Sequence, residues 1–357
     1  GTLAGVLSAI VRVVPRPASR SLGVIFFASV EEALQATVEI SDLEAAAIEH
    51  LDDAVFDQTR GQRAFRPARD FLRLDEEPCK ALLLVEFFDD DVDRLAELLR
   101  RGIGLRALAC SSAEEAELVW NLRRAGLSLV TSRKGPAKPV PGIEDVCVVP
   151  DRLPEYVAGL RRILDPLGLE ASFYGHAASG ELHVRPTLVL HRAEDVARLR
   201  HVADAVSDLC RRFDGSLAAE HGVGIARTEY LPDHLGPELL EASRDVKKLF
   251  DPKGLLNPGK IVDTGRFRID RDLRLGASYE LKLPFAPVVG FVERDGSLVA
   301  NLEQCNGCGG CRKDAPTMCP TFVATGDELM STRGRANTVR AVLEGRFDHG
   351  LVAHQLE

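Results

Sequence analysis

The chain has 357 residues, enough for about two domains that each bury a full core, so disorder is excluded as its main state. Its 45 Lys and Arg against 54 Asp and Glu give a net charge of −9, which argues against a large nucleic-acid-binding face. No apolar run approaches the roughly 18 residues of a membrane span, and no secretory signal pattern opens the sequence. We therefore expect a cytoplasmic protein without a transmembrane segment.

Strand and helix patterns alternate along most of the chain. Strand-type runs are predicted at Gly23–Ala28, Ala81–Phe88, Val146–Val149, Ala171–Tyr174, Leu182–Val184 and Ser216–Ala219. Helix-type spacing is predicted at Val30–Ser41, Asp90–Arg101, Ala113–Arg124, Leu153–Leu164, Ala193–Phe213 and Pro237–Phe250. These elements favour an α+β fold, a mostly antiparallel sheet with helices on one face, and a doubly wound parallel sheet is the alternative.

A turn-forming run, KKLFDPKGLLNPGK at Lys247–Lys260, ends the last of these helices. A charged and then Pro-containing stretch follows and predicts a linker over 266–290. We place one domain over 16–265 and a second, cysteine-rich segment over 291–357. Because Gly1 opens inside an apolar run, we expect 1–15 to be the remnant of a preceding domain, and we expect the second segment to be truncated.

Half of the eight cysteines lie in that second segment. Two residues separate Cys305 from Cys308 and Cys308 from Cys311, and seven residues separate Cys311 from Cys319, which proline follows. The spacing resembles the bacterial ferredoxin run with a longer last gap, and it favours a [4Fe–4S] cluster over zinc, which usually takes two such knuckles. By the ferredoxin rule, Cys319 serves a second cluster whose other ligands lie outside this chain. Four more cysteines are predicted to be free thiols: Cys79, Cys110, Cys147 and Cys210.

Two histidines, His176 and His183, flank a predicted hairpin turn in GHAASGELH. Across a turn they can converge, whereas the same separation along one straight strand would send them to opposite faces. Farther on, Glu220 and His221 stand beside glycines at a strand end. Two imidazoles and one carboxylate form a usual divalent-metal set with an open position. The alternative is that both histidines are ordinary hairpin residues.

Three motifs resemble, in order, the C-terminal cap domain of FAD-linked oxidases of the vanillyl-alcohol-oxidase type: Gly175–Pro186, Glu220–Thr228 and Lys247–Val262. D-lactate, glycolate and D-2-hydroxyglutarate dehydrogenases belong to this family. The cysteine run with Ser331–Asn337 resembles the segment that follows in bacterial fusions of such a flavoprotein to an iron–sulfur oxidoreductase. The resemblance implies that 1–15 is a remnant of the FAD-binding domain and that the second segment begins a ferredoxin-type domain.

The same resemblance implies roles for individual residues. His176, His183 and Glu220 would bind a divalent metal such as zinc, which lowers the pKa of the substrate hydroxyl. His221 would be the general base, because an imidazole titrates near the working pH. Arg123 would clamp the substrate carboxylate, and the alternative is an exposed helix arginine. Hydride would pass to FAD, and electrons would leave through iron–sulfur clusters to a quinone or a carrier protein.

Some positions depart from the family pattern. Members that oxidise D-2-hydroxyglutarate have Thr and Lys where this sequence has Leu127 and Ile143, so the resemblance leaves open which hydroxy acid is the substrate. Lys134 or Lys138 could compensate, and we take Lys138 as the candidate substrate ligand. Asn257 matches the family's residue near the flavin ring, and the alternative is an asparagine that only ends a helix.

The resemblance thus implies a fragment of an FAD-dependent D-2-hydroxy-acid dehydrogenase that forms a 2-oxo acid. The rival is a non-catalytic iron–sulfur electron-transfer module, and an aryl-alcohol oxidase would not need the histidine and glutamate set. A homodimer and a peripheral position on the inner membrane face are further expectations. Because the family's N-terminal domain cradles the FAD pyrophosphate, we expect the isolated chain to be inactive.

Overall fold

The computed structural model describes residues 1–89, 91–288, 291–313 and 317–346. The strands β1–β7 are Arg20–Phe27, Ala47–Asp52, Ala81–Phe88, Arg106–Ala109, Lys138–Pro139, Ala171–His176 and His183–Leu188. The helices α1–α14 are Val30–Glu39, Asp53–Phe56, Arg66–Phe71, Asp91–Arg100, Ala113–Arg124, Gly126–Thr131, Leu153–Leu164, Ala193–Arg212, Gly224–Arg227, Leu231–Phe250, Val292–Asp295, Leu298–Glu303, Pro320–Thr325 and Thr332–Leu343.

The strands form one sheet in the order β4-β1-β3-β2-β6-β7-β5, and each neighbouring pair is antiparallel. The predicted α+β class and antiparallel sheet are therefore confirmed, and the doubly wound alternative was wrong. In the β6–β7 hairpin, Tyr174 lies opposite His183. On the other side of β6, strand β2 places Glu49 opposite His176. The middle of the sheet thus brings three distant parts of the sequence together.

Helices cover both faces of the sheet. On β1, Ile25 and Phe27 belong to the core under α1, α7 and α8, whereas Val24 and Phe26 belong to the core under α2, α5 and α6. Successive strand residues point to opposite faces, and β1 and β3 are apolar at consecutive positions, so each face needs a cover. The prediction that helices lie on one face only was wrong for this reason.

The bounds of some helices and strands agree with the sequence predictions, and those of others do not. The helices Ala113–Arg124 and Leu153–Leu164 have the predicted bounds. The two strands predicted around Cys147 and Ser216 reduce to an isolated bridge between these two residues. Strand β2 was not predicted, because its sequence AIEHLD lacks a clean alternation of apolar and polar residues.

The described part of 266–288 contains no helix or strand. It is tied to the first domain by Arg200 on α8, whose guanidinium contacts Glu229 at 2.9 Å and Asp270 at 2.7 Å. Beyond it, the described residues form four short helices, α11–α14, and the domain bounds stay a prediction. Among the described helices, none is long and apolar enough to cross a membrane.

Candidate functional site

A tight turn joins the two histidines of the hairpin. His176 ends β6 and His183 begins β7, with a short 3₁₀ turn at Ala177–Ser179 between them. Gly180 follows with a φ of 72°, and a Cβ at this position would lie 1.8 Å from the carbonyl oxygen of Val148. Only glycine fits such a close approach, so the glycine keeps the turn short and both imidazoles on one side of it.

Glu220 lies between the two imidazoles. Its carboxylate oxygens are 3.3 Å from Nε2 of His183 and 3.7 Å from Nε2 of His176. The donor atoms of the three residues all lie within 4.8 Å of one another. His183 is buried, whereas Glu220 and His176 are partly exposed, so a cation has a way in from solvent. The structure therefore brings together the three predicted metal ligands.

His221 lies beside this group. Its ring stacks on His183 with 4.8 Å between centroids, and its Nε2 is 3.3 Å from Glu220 Oε1. Its Nδ1 is 3.3 Å from Oδ1 of Asp145, a fully buried carboxylate that also accepts the backbone N–H of His221 at 3.1 Å. Asp145 thus orients the imidazole and its backbone together. Asp145, His183 and His221 form a second, overlapping group of donors.

Glu49 on β2 joins two of the predicted site residues, and sequence reasoning missed it. Its Oε1 is 2.7 Å from Nδ1 of His176, and its Oε2 is 2.7 Å from Nη2 of Arg123. Burial disfavours ionisation of Glu49, but the His176 hydrogen bond and the Arg123 charge outweigh it and hold the pKa of Glu49 below its usual value. The same hydrogen bond raises the pKa of His176. No local signal marks this glutamate, because it acts on residues far away in sequence.

The protonation preferences around His183 suit a metal ligand. Burial, followed by the neighbouring His221, lowers the pKa of His183 to about 4, so its imidazole is neutral as coordination requires. Burial and then the charges of Glu220 and Asp145 raise the pKa of Glu181 to about 7. Nδ1 of His183 and Oε1 of Glu181 are buried without hydrogen-bond partners in the described structure.

The charges in this cluster are unbalanced when all acids are counted as ionised. Arg227 contacts Glu144 at 3.4 Å and Asp145 at 3.7 Å, and Arg185 contacts Glu144 at 3.8 Å. Three guanidiniums face five carboxylates, an excess of two negative charges that a divalent cation would neutralise. The carboxylates are Glu49, Glu144, Asp145, Glu181 and Glu220, and the guanidiniums are Arg123, Arg185 and Arg227. Donor chemistry and charge therefore both fit a divalent metal.

Two other predicted residues lie elsewhere. Lys138 pairs with Leu188 at the far end of β7, about 17 Å along the strand from His183. Its Nζ donates to Gln304 Oε1 at 2.9 Å, and burial lowers the pKa of Lys138. The structure thus does not bring Lys138 to the histidine cluster, and its role as a substrate ligand stays a prediction. Asn257 lies exposed in a turn with a φ of 45° and donates to the Gly1 carbonyl at 2.7 Å, and its role also stays a prediction.

The cysteine-rich segment surrounds the N-terminus of α14. The backbone N–H of Arg333 points to Sγ of Cys311 at 3.4 Å, and Nη2 of Arg335 lies 3.6 Å from Sγ of Cys319. The backbone N–H of Gly310 points to Sγ of Cys308 at 3.4 Å. N–H groups directed at sulfur stabilise thiolates and the clusters that thiolates ligate.

Close packing holds α14 against this loop. A Cβ on Gly334 would lie 1.9 Å from the carbonyl oxygen of Glu328, so glycine is needed there. The Arg333 guanidinium donates to the Gly307 carbonyl at 2.8 Å. A hydrogen bond with the Thr321 hydroxyl is the largest of several contacts that lower the pKa of the Cys319 thiol to about 6. The Ser331–Asn337 motif therefore contacts both ends of the cysteine run.

The cysteine run is also attached to the first domain. Asn306 Nδ2 donates to the Thr131 carbonyl at 2.9 Å, next to the Lys138–Gln304 contact. His191 contacts Glu303 at 3.1 Å. All three contacts lie at residues 303–306, so the side of the loop that carries Cys305 faces the first domain.

The fold and the site together define a class: an α+β protein with an antiparallel sheet and an imidazole–carboxylate cluster suited to a divalent metal. Comparison with known families gives a match over residues 16–261 to the C-terminal domain of FAD linked oxidases. The chain therefore belongs to the FAD linked oxidase family.

Comparison with individual proteins gives sequence relatives and a solved structure of lower similarity. D-2-hydroxyglutarate dehydrogenase of Escherichia coli strain K12 is 31% identical over all of this chain and 36% of its own length. Glycolate oxidase subunit GlcD of Bacillus subtilis strain 168 is 25% identical over 73% of this chain and 55% of its own. The structure of p-cresol methylhydroxylase with substrate bound aligns with a TM-score of 0.49 at 14% identity, covering 70% of this chain and 54% of that one. The chain thus spans about a third of the length of the first relative.

Proposed function

We propose that this chain supplies the substrate-side residues of an FAD-dependent dehydrogenase that oxidises D-2-hydroxy acids to 2-oxo acids. The observation that carries the proposal is the convergence of His176, His183 and Glu220, with His221 next to them and Arg123 tied to them through Glu49. Relatives named as D-2-hydroxyglutarate dehydrogenase and glycolate oxidase support the substrate class.

Each side chain has a part in this proposal. A divalent metal on His176, His183 and Glu220 would lower the pKa of the substrate hydroxyl, and FAD would accept the hydride. His221 takes the hydroxyl proton at Nε2, because its Nδ1 faces the carboxylate of Asp145, which would hold the ring's own proton on that side. Arg123 binds the substrate carboxylate through Nη1, because its Nε and Nη2 are directed at Glu49.

A substrate panel on the full-length flavoprotein tests this function. Under anaerobic conditions, D-lactate, glycolate or D-2-hydroxyglutarate should bleach the flavin absorbance, and the L-enantiomers of the chiral acids should not. Failure of all three acids to bleach a protein that contains flavin would overturn the proposal. Glycolate has no side chain on the carbon that is oxidised. Bleaching by glycolate would therefore show that the hydroxy-acid group alone is sufficient for oxidation.

Metal analysis separates the enzyme from the non-catalytic electron-transfer module. In the enzyme, His176→Ala should lose a bound divalent metal and retain iron, whereas exposed His201→Ala should keep both. A parent protein that holds iron but no other divalent metal would favour the module. Mass spectrometry of the metal content of both variants and the parent gives the answer directly.

We also propose that Cys305, Cys308, Cys311 and Cys319 ligate iron–sulfur clusters that pass the electrons to a quinone or a carrier protein. The N–H groups directed at three of the four sulfurs support this role. Cys311→Ser should lower the iron and sulfide content, and the matched Cys79→Ser in the first domain should not. Zinc in place of iron in protein purified without oxygen would contradict the assignment.

A further inference from the structure

The charges around the cysteine sulfurs are strongly biased to one sign. The guanidiniums of Arg333 and Arg312 come within 3.1 and 3.4 Å of the place where a Cβ on Gly309 would stand. Nη1 of Arg274 lies 3.9 Å from the place where a Cβ on Gly307 would stand, and Nη2 of Arg335 lies 3.6 Å from Sγ of Cys319. On a chain with a net charge of −9, this local concentration of arginine is against the overall trend.

The four arginines differ in how their charge is compensated. Arg333 and Arg312 share one carboxylate, Glu328, at 2.8 and 3.1 Å. Arg335 instead donates to neutral oxygens, at 2.8 Å to Thr321 Oγ1 and at 2.5 Å to the Met330 carbonyl, besides its contact with Cys319. Within the part of the chain that the structure describes, Arg335 has no carboxylate partner. Arg274, which donates to Asn337 Oδ1 at 3.1 Å, likewise has no carboxylate partner among the described residues. The charge of Arg335 therefore acts on the Cys319 sulfur without compensation by a carboxylate.

A charge in this place has a defined electrochemical effect. Reduction of an iron–sulfur cluster adds one electron, so the reduced form carries one more negative charge than the oxidised form. Potentials of such clusters are set by net charge, by hydrogen bonds to the sulfurs and by solvent exposure. A nearby cation stabilises the reduced form more than the oxidised form and so raises the reduction potential.

We propose that Arg335 raises the reduction potential of the cluster that Cys319 ligates, and that Glu328, by compensating Arg333 and Arg312, lowers the potential of the cluster that Cys311 ligates. The inference rests on the proposed iron–sulfur function. It adds the residues that set the driving force for electron transfer from the flavin to the cluster. A raised potential makes the cluster a better one-electron acceptor from the flavin side.

Two substitutions of opposite sign test the inference in the full-length protein. Arg335→Gln should lower the midpoint potential by about 59 mV, a tenfold change in the one-electron equilibrium constant. Glu328→Gln should shift the potential upward, because it removes the negative charge nearest Arg333 and Arg312. Arg335→Lys keeps the charge, so its midpoint potential should fall by less than half of the decrease seen with Arg335→Gln. Redox titration followed by electron paramagnetic resonance measures all three.

Arg346→Gln is the matched control, because Arg346 is exposed and contacts Glu344 instead of a cysteine. It should leave the potential unchanged. If Arg335→Gln fails to retain iron, Glu328→Gln and Arg335→Lys still carry the test. Potentials of the Arg335 and Glu328 variants that match the control would overturn the inference while leaving the cluster itself established. A parent protein without a cluster signal would instead remove the iron–sulfur function on which the inference rests.

Discussion

The histidine cluster and the cysteine site are assembled in opposite ways. The contact between Glu49 and His176 joins residues 127 positions apart, and it depends on β2 and β6 being neighbours in the sheet. The contacts to the cysteine sulfurs span 2, 16 and 22 positions and depend on one loop and the start of α14. The side chains of the histidine cluster are held in place by buried strands of the sheet, whereas the cysteine site is held mainly by contacts within its own loop and with α14.

This difference has a consequence for mutation. At the histidine cluster, the backbone is held by the sheet and its two cores, so a partly exposed side chain such as Glu220 can be removed while the fold stays intact. At the cysteine site, the contacts that hold the sulfurs also hold the short helices. We therefore expect substitutions to separate function from stability at the first site and to change both at the second.

The largest effect is expected for Glu220→Ala. The partly exposed side chain can be removed without loss of core packing, but the two histidines then lose the carboxylate that we propose as their co-ligand. Bound divalent metal should fall below stoichiometry, and kcat/KM for the hydroxy acid should fall by about a thousandfold, or about 4 kcal/mol of transition-state stabilisation. Exposed Glu238→Ala should change neither quantity. Full metal content in the Glu220 variant would refute the assigned ligand set.

A smaller effect is expected for Glu49→Gln, which tests the contact between distant strands. Glutamine keeps the size of the side chain but removes the carboxylate that orients His176 and binds Arg123. Loss of such a supporting carboxylate typically costs about 10- to 100-fold in metal affinity. Titration with zinc should show this loss, and exposed Glu39→Gln should bind as the parent does. Equal affinities would mean that Glu49 has no part in the metal site.

Gly334→Ala tests the second site. Alanine is usually favourable inside a helix, but its Cβ would meet the Glu328 carbonyl at 1.9 Å. We expect α14 to be destabilised by about 2 kcal/mol and the cysteine segment to become more sensitive to protease, with the first domain unchanged. Gly276→Ala is the matched control, because the nearest atom to its Cβ is 3.4 Å away. Equal protease resistance of the two variants would show that this close approach does not support the segment.

The smallest effect concerns the pH dependence of stability in the first domain. His50 on β2 is fully buried, its Nδ1 lies 3.1 Å from the Phe173 carbonyl, and burial lowers the pKa of His50 to about 3. Between pH 3 and its usual value of about 6.5, the unfolded chain binds a proton that the folded chain does not, so stability is present above that window and is lost as the pH falls.

The slope from this one group approaches about 1.4 kcal/mol per pH unit. His50→Asn keeps a donor for the Phe173 carbonyl and removes the titration, so its stability should fall less steeply between pH 6.5 and 4.5 than that of the parent. Urea unfolding at several pH values measures the slopes. Exposed His201→Asn should keep the parent slope, and a parent slope in the His50 variant would show that this imidazole is not protonated on unfolding.

Much of the fold could be predicted from local patterns, because capping residues and helical spacing act within a few residues. Ser112 caps the helix Ala113–Arg124, where its side chain accepts the N–H of Glu115, and the prediction of this helix was confirmed. Strand β2 escaped prediction because His50 and Asp52 are polar yet buried, an arrangement that only the pairing with β3 and β6 makes possible.

In the candidate site too, some residues could be predicted from the sequence and others only from the structure. The hairpin histidines and the cysteine spacing are visible in the sequence, because each ligand set is largely carried by one short segment. Asp145 was not assigned to the site from the sequence, and the structure places its buried carboxylate against the ring and the backbone of His221. The role of Lys138 as a substrate ligand stays a prediction, and β5 holds this lysine at the other end of β7, against Gln304.

Residue types and short spacings are local properties, so the amino-acid sequence alone already specified the hairpin turn, the imidazoles and thiols of the two candidate sites and the glycines that let the chain fold closely around them. The order of strands in a sheet is not local, because it depends on which apolar faces are buried together. Only the tertiary structure therefore decided that Glu49 would orient His176 and hold Arg123, and that helices would cover both faces of the sheet.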